Sequence, residues 1–427
     1  QPPADSINQA EALHLLAGIY DERGDLDGAE ELLQQALAIR EETDDLEAIG
    51  KTVNYLGILS SKRGELDQAE AYYQRCLSIW TDLDHSKALA ITLNNLGVLN
   101  YQKGALEHAE NYYRRSYELF QQLNLLFEMT HISNNLGIVY FLRGELRRAE
   151  ALYEEGLAVF EPLNDSTAVA RLLNNLGIIY YLRGELLKAK DSYLRSLSLK
   201  KALGDPKAIA ETRFNLSFTL VRLEELDAAT AQVDQLAALA QSVEIPDVTV
   251  QYHLAKGLLQ LEQGRYEGAM ASIAQTQATM AQFPHFELVV TALVLLIRIH
   301  LQWYLDGGTG EHLVQADQLL GELEQVSQRE KLHGQHVEAI LTHGFLKRAL
   351  FDLSGARDDF ALAKSLAEEQ GLQLLSQRAQ HELEALQKQL EAFRRFQEES
   401  PVEYEQIQLG DLLAYLREAQ LFLQQKL

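Results

Sequence analysis

Cysteine, proline and positive charge are all scarce in this chain. Cys76 is the only cysteine in 427 residues, which excludes an internal disulfide framework and fits a reducing, cytoplasmic compartment. Only seven prolines interrupt it, and Val/Ile/Thr alternation is nearly absent, so an all-β chain is excluded. Lys and Arg number 38 against 62 Asp and Glu, a formal charge of −24. That deficit disfavours direct binding of nucleic acid or anionic lipid across the surface. Long hydrophobic runs are missing too. The longest, FELVVTALVLLIRIHL, has ten uncharged residues between Glu287 and Arg298, too few to span a bilayer, and reads as a buried helix without membrane insertion. No signal-peptide pattern is present. The first residue is Gln1 rather than Met, so an upstream segment is expected, and an N-terminal domain there is compatible with the sequence.

What is abundant is Leu and Ala, in a pattern that recurs every forty residues. Stepping by forty from 29 meets alanine seven times, from Ala29 to Ala269. From 24 the step gives Gly24, Gly64, Gly104, Gly144, Gly184, Glu224 and Gly264. From 17 it gives Ala17, Gly57, Gly97, Gly137, Gly177, Ser217 and Gly257. Several columns held in register through residue 277 mean a repeat architecture, not separate globular domains.

Each unit reads as two helices. The first ends in a cation and a glycine, as at Arg63-Gly64, Lys103-Gly104, Arg143-Gly144 and Arg183-Gly184. The cation opposes the C-terminal helix dipole and the glycine supplies a left-handed cap. An acid then opens the second helix at Asp25, Glu65, Glu145 and Glu185, and Asp205-Pro206 is a cap and first-turn proline. Cys76 shares a column with Ala36, Ser116, Gly156 and Ser196, so it fills a small-residue packing slot; a reactive thiol would need exposure.

In the fifth unit Leu173, Leu176-Gly177, Tyr180, Ala189 and Tyr193 resemble the tetratricopeptide repeat, with six residues more than its usual thirty-four. The motif LNNLG is most similar to the kinesin-light-chain and cell-polarity-adaptor subtype. The resemblance implies an all-α, right-handed superhelical solenoid, here of about nine helix pairs with C-terminal capping helices. Residues 1–277 hold seven regular units. Residues 278–388 hold degenerate pairs and a long amphipathic helix, and 389–427 hold capping helices that start at Ser400-Pro401-Val402-Glu403. A ninth pair over about 336–369 carries Gly344, Gly355 and Ala361, and LDGGTGEHL reads as a stretched turn.

At 100° per residue, Leu173, Leu176, Gly177 and Tyr180 share the face that packs on the second helix. Asn174, Asn175, Tyr181 and Leu182 point the other way, which the resemblance makes the concave groove. The same columns hold Asn54, Asn94, Asn95, Asn134, Asn135 and Asn215, with Tyr101, Phe141 and Leu142. Amides both donate and accept, as an extended peptide backbone requires, and rings and leucines hold apolar side chains. In the resembling adaptors asparagines at this position clasp peptides. The alternative is that neighbouring asparagines bond one another and cement the repeats. Lys51, Lys62, Arg171 and Arg222, with His131 and Glu211, make a locally basic groove flanked by acids: Glu11, Asp21 and Glu22 at one end, Glu262 at the other. A partner with an acidic group or a C-terminal carboxylate fits it.

No catalytic constellation, cofactor fingerprint or metal-ligand spacing stands out. His333, His336 and His343 form the only local histidine cluster, without a third ligand at zinc spacing. The sequence therefore points to a non-enzymatic scaffold or adaptor, with no cofactor and no metal, binding an extended peptide or protein segment. The alternative is the ligand-sensing segment of a larger signalling or transcription regulator, and a homo-oligomer is compatible with both.

Overall fold

The computed structural model describes residues 4–282, 286–329, 333–350 and 352–399, and all nineteen elements found there are α-helices. They divide into two compact units, Gln1–Arg143 with Arg147–Ala168, and Gly144–Leu146 with Val169–Leu427. The first holds α1 (Ala4–Glu22), α2 (Leu26–Glu42), α3 (Leu46–Lys62), α4 (Leu66–Asp82), α5 (Ser86–Gln102), α6 (Leu106–Gln122), α7 (Leu126–Leu142) and most of α8 (Leu146–Leu163). The second runs through α9 (Ser166–Leu182), α10 (Leu186–Leu203), α11 (Pro206–Arg222), α12 (Leu226–Ser242), α13 (Pro246–Glu262) and α14 (Tyr266–Gln282). It continues through α15 (Phe286–Leu305), α16 (Glu311–Arg329), α17 (His333–Ala349), α18 (Leu353–Glu369) and α19 (Gln373–Glu399). Nine hairpins and one long final helix result. The segment expected to open at Ser400-Pro401 lies outside the described residues.

The repeat columns are the joints of these hairpins. All seven column alanines are fully buried. The column glycines let an aromatic ring lie against the backbone of the first helix. A Cβ built on Gly57, Gly97, Gly137 or Gly177 would stand 2.4–2.6 Å from the ring of Tyr73, Tyr113, Tyr153 or Tyr193. The ninth hairpin repeats the joint with Gly344 and Phe360. There the packing alanine is Ala356, whereas Ala361, expected in that role, is exposed.

Turns within and between hairpins use left-handed residues. Gly24, Gly64, Gly104, Gly144 and Gly184 have φ between 73° and 81°. Between hairpins the same conformation falls on Asp44, Asp84, Asn124, Asn164 and Gly204, again forty apart. Asp and Asn tolerate it better than other side chains do. Asp25, Asp45 and Asp205 then cap the next helix, accepting from the amides of Gly28, Ala48 and Ala208 at 3.0–3.2 Å. Glu65 and Glu185 occupy the cap position without a capping bond from the side chain to a helix amide.

The cations before the glycines reach further than the helix dipole. Arg63 pairs with Asp27 and Glu30 of the preceding hairpin, Lys103 with Asp67 and Glu70, and Arg143 with Glu110. Such surface pairs contribute about 0–1 kcal/mol each but hold successive hairpins in register. Cys76 is buried, its Sγ 3.5 Å from the carbonyl of Gly50. Ser116 and Ser196 bond Ala90 and Ala170 from the same column. Burial pushes the Cys76 thiol up to about 12.

Helix α15 is longer than its uncharged core implies. Leu288–Leu305 is long and apolar enough to cross a membrane by length and composition, yet 56% of it is buried within the protein. Val290, Ile297 and Leu301 pack with Ala316, Leu320 and Leu346 of the neighbouring helices. The stretched turn between α15 and α16 forms as expected, with Gly307 at φ 101°.

Candidate functional site

The paired asparagines bond across successive first helices. Asn95 Nδ2 donates to Asn54 Oδ1 at 3.0 Å, and Asn135 Nδ2 to Asn94 Oδ1 at 3.2 Å. Each link spans 41 residues, because the second asparagine of one motif faces the first of the motif before. Asn134 and Asn174 are buried, the latter 2% exposed. Asn174 donates to Glu211 Oε1 and accepts from the Thr212 hydroxyl, both at 3.0 Å. Asn175 and Asn215 are half-buried. The asparagines therefore carry bonds between repeats, and Asn54, Asn94, Asn95 and Asn135 keep part of their surface open.

The other groove candidates fall in two places. In the first unit Lys51 pairs with Glu47 at 2.7 Å and Lys62 with Asp21 at 2.6 Å, so neither cation is without a counter-charge. Tyr101 is 38% exposed, and Phe141 and Leu142 are half-buried. In the second unit Tyr181, Leu182 and Arg171 are half-buried and Arg222 is exposed.

The first unit contains a pocket of about 420 Å³ on the face shared by α1, α3 and α5. Asn54, Tyr55 and Ile58 come from α3, Ala88 and Ile91 from α5, and the edge of the Trp80 ring forms the floor. Gly50 makes that floor possible, since a Cβ there would stand 2.5 Å from the indole. Lys51 and Lys87 flank the rim, and Ile91 is 39% exposed. Tyr55 donates to Asp21 at 3.0 Å, and burial with that carboxylate pushes its pKa up to about 12. Ile91 stands in the same forty-residue column as Lys51, His131, Arg171 and Glu211. The column carries the signal, but attention to charge alone passes over its one apolar member.

The second unit encloses a larger cavity of about 1050 Å³. Its walls come from the ends of α11, α13, α15 and α17, and from α19, which lies along α18 and turns its Arg378 side back toward them. A Cβ on Gly184 would stand 3.1 Å from Gln377 of that helix. The inner side of this unit is thus met by the chain's own helix rather than left open.

Four guanidinium groups line this cavity. Arg298 pairs with Glu262 at 2.9 Å, Arg348 with Glu382 at 2.5 Å and Arg378 with Glu338 at 2.7 Å. Arg222 has no hydrogen bond or ion pair among the described residues. The cavity walls around it strip water and lower its pKa even though its surface is exposed, and repulsion from Arg378 and Arg298 adds to that. Burial pushes Glu338 upward, but the charge and hydrogen bond of Arg378, with Arg298 and Arg222, leave it below the ordinary value. Sequence reasoning found Arg222 but not its neighbours, because Arg298, Glu338 and Arg378 lie beyond the regular repeats.

Of the histidine cluster, the side chain of His333 lies outside the described residues. His343 Nδ1 lies 3.2 Å from Asp359, and the buried Nδ1 of His336 has no hydrogen-bond partner among the described residues. No group of three or more His, Cys, Asp or Glu among the described residues is placed to hold a metal ion.

Stacked helix hairpins with a glycine-ring joint in the second to fifth units define an α-solenoid of repeated hairpins. Residues 9–43, 49–122 and 128–202 are tetratricopeptide repeats, matched by models of that description. Among solved structures, the apo form of RapI is similar with a TM-score of 0.54 and 14% identity, covering 70% of this chain and 99% of that one. A tetratricopeptide repeat protein from Parabacteroides merdae gives 0.48 and 19%, covering 67% and 99%. The apo quorum sensor NprR from B. thuringiensis gives 0.48 and 14%, covering 84% and 87%. These are likenesses of fold. Curated proteins return no match, and the kinesin-light-chain subtype rests on the LNNLG motif alone.

Proposed function

We propose that the chain is a non-enzymatic, cytoplasmic interaction scaffold whose first unit binds an extended, acidic peptide segment along α1, α3 and α5. The observation that carries this reading is the half-open apolar pocket over Trp80, with Ile91 in its wall, Asn54 at its edge and Lys51 and Lys87 on its rim. An apolar side chain of the partner fills the pocket, and acids on either side exchange for Glu47 and Glu128, which now pair with the two ammonium groups. The asparagine links hold the helices in place before binding, so little order is lost on association.

Panning a random-peptide display library against the full chain tests this. Enriched peptides are expected to carry an apolar residue between acids and to lose about tenfold or more in affinity for Ile91→Asp, which puts a carboxylate in the pocket wall. Peptides that bind Ile91→Asp as tightly as the unchanged chain place the partner elsewhere and reject the reading.

A further inference from the structure

We infer that the cavity of the second unit is a binding site for a compact ligand with one carboxylate and an apolar body, its carboxylate held by Arg222. This site is separate from the first-unit pocket and stands or falls without it.

The chamber is at the upper end of the volumes that enclose small molecules and short peptides. Leu261, Leu301, Phe345 and Leu374 give it apolar wall. Three of its four arginines are already matched by Glu262, Glu382 and Glu338. Arg222 is the unmatched one, and it keeps solvent access inside the cavity. A guanidinium offers parallel donors at the spacing of a carboxylate's oxygens and stays charged through the physiological range. The charge of the ligand follows from the neighbours. Glu262 and Glu382 are neutralised by Arg298 and Arg348, and Asp306, bonded to Tyr266 and Gln302, also lines the space, so a single negative charge completes Arg222 while the second charge of a phosphate dianion finds no free cation there among the described residues.

The same chemistry is available from the C-terminus of a short peptide or from a small organic acid, and the test separates them. The probe is anilinonaphthalene sulfonate, a fluorescent monoanion with an apolar body, titrated into the full chain carrying Ile91→Asp so that the first-unit pocket is blocked. One saturable site is expected. Arg222→Gln should weaken it about tenfold or more, with Arg222→Lys intermediate. Helical circular dichroism and melting temperature of each variant confirm that the fold persists; Arg222→Lys, which keeps the charge, carries the comparison if the glutamine variant is unstable. Displacement by N-acetyl-leucyl-leucine but not by its amide assigns a peptide carboxylate. Displacement by octanoate at lower concentration assigns an organic acid. Unchanged probe affinity in Arg222→Gln, no saturable binding, or displacement by the amide as good as by the acid overturns the site. Inorganic phosphate displacing as well as either carboxylate overturns the ligand class.

Discussion

Asn174 shows why an amide sits in the middle of a helix where propensity disfavours it. Both halves of its side chain are used, one by Glu211 and one by Thr212, in a buried setting. Asn174→Ala removes both bonds, while the Thr212 hydroxyl keeps the Ala208 carbonyl and the Lys200 ammonium, and is expected to cost about 0.5–1.5 kcal/mol of stability, read as a lower midpoint in urea unfolding; an unchanged midpoint would mean the bonds contribute nothing net. Glu224 makes the opposite case. It occupies the glycine column with φ 60° and an exposed side chain. Left-handed backbone costs a non-glycine residue about 1–2 kcal/mol, so Glu224→Gly should raise the midpoint despite glycine's greater freedom in the unfolded chain. The columns of the sequence display both residues plainly. They do not display which amide faces a ligand and which faces a neighbour, because helical phase fixes a direction but not the next hairpin's distance.

At the scale of the hairpin, the pairing of first and second helices was readable almost completely. The glycine and aromatic columns sit sixteen residues apart, and the ring lies on the glycine in each regular hairpin where both residues occur. Gly97→Ala places a methyl 2.5 Å from the Tyr113 ring. The helix propensity gained, about 1 kcal/mol, is set against overpacking of about 1–3 kcal/mol. A net loss in thermal unfolding is expected, and Gly97→Ala with Tyr113→Leu should recover part of it. The last helix was legible as an element and illegible as a neighbour. Its amphipathic pattern gives α19, and Arg378 meets Glu338, one forty-residue step earlier, at 2.7 Å. The alanine and glycine columns that mark the register stop at 277, so that step is not announced by its neighbours.

For the molecule as a whole, titration acts in one direction on acidification. His14, His253 and His300 are each held below the ordinary 6.5, in every case first by burial. A depressed histidine contributes its stability in full above 6.5 and loses it as pH falls through the folded value, because the unfolded chain takes up the proton first. Asp21 and Glu338 are also depressed, by Lys62 and Tyr55 and by Arg378 respectively, against the opposing effect of burial. Their contribution is present above the ordinary 3.8 and 4.5 and is lost on going lower. Melting temperature at constant ionic strength should therefore decline in two stages, one beginning below about pH 6.5 and one below about pH 4.5. A flat profile between pH 7 and pH 5 would mean that the buried imidazoles ionise without cost.

The 41-residue amide link has an implication for how such a chain changes length. Asn54 meets Asn95 through the same atoms by which Asn94 meets Asn135. Excising residues 86–125 would bring Asn135 opposite Asn54, with an equivalent handshake available and the left-handed hinge at Asp84 intact. The wall formed by Ile91 would leave with the excised piece, and His131 would take its place. Gain or loss of one forty-residue module thus rewrites what the inner surface recognises while leaving the masonry between courses unaltered.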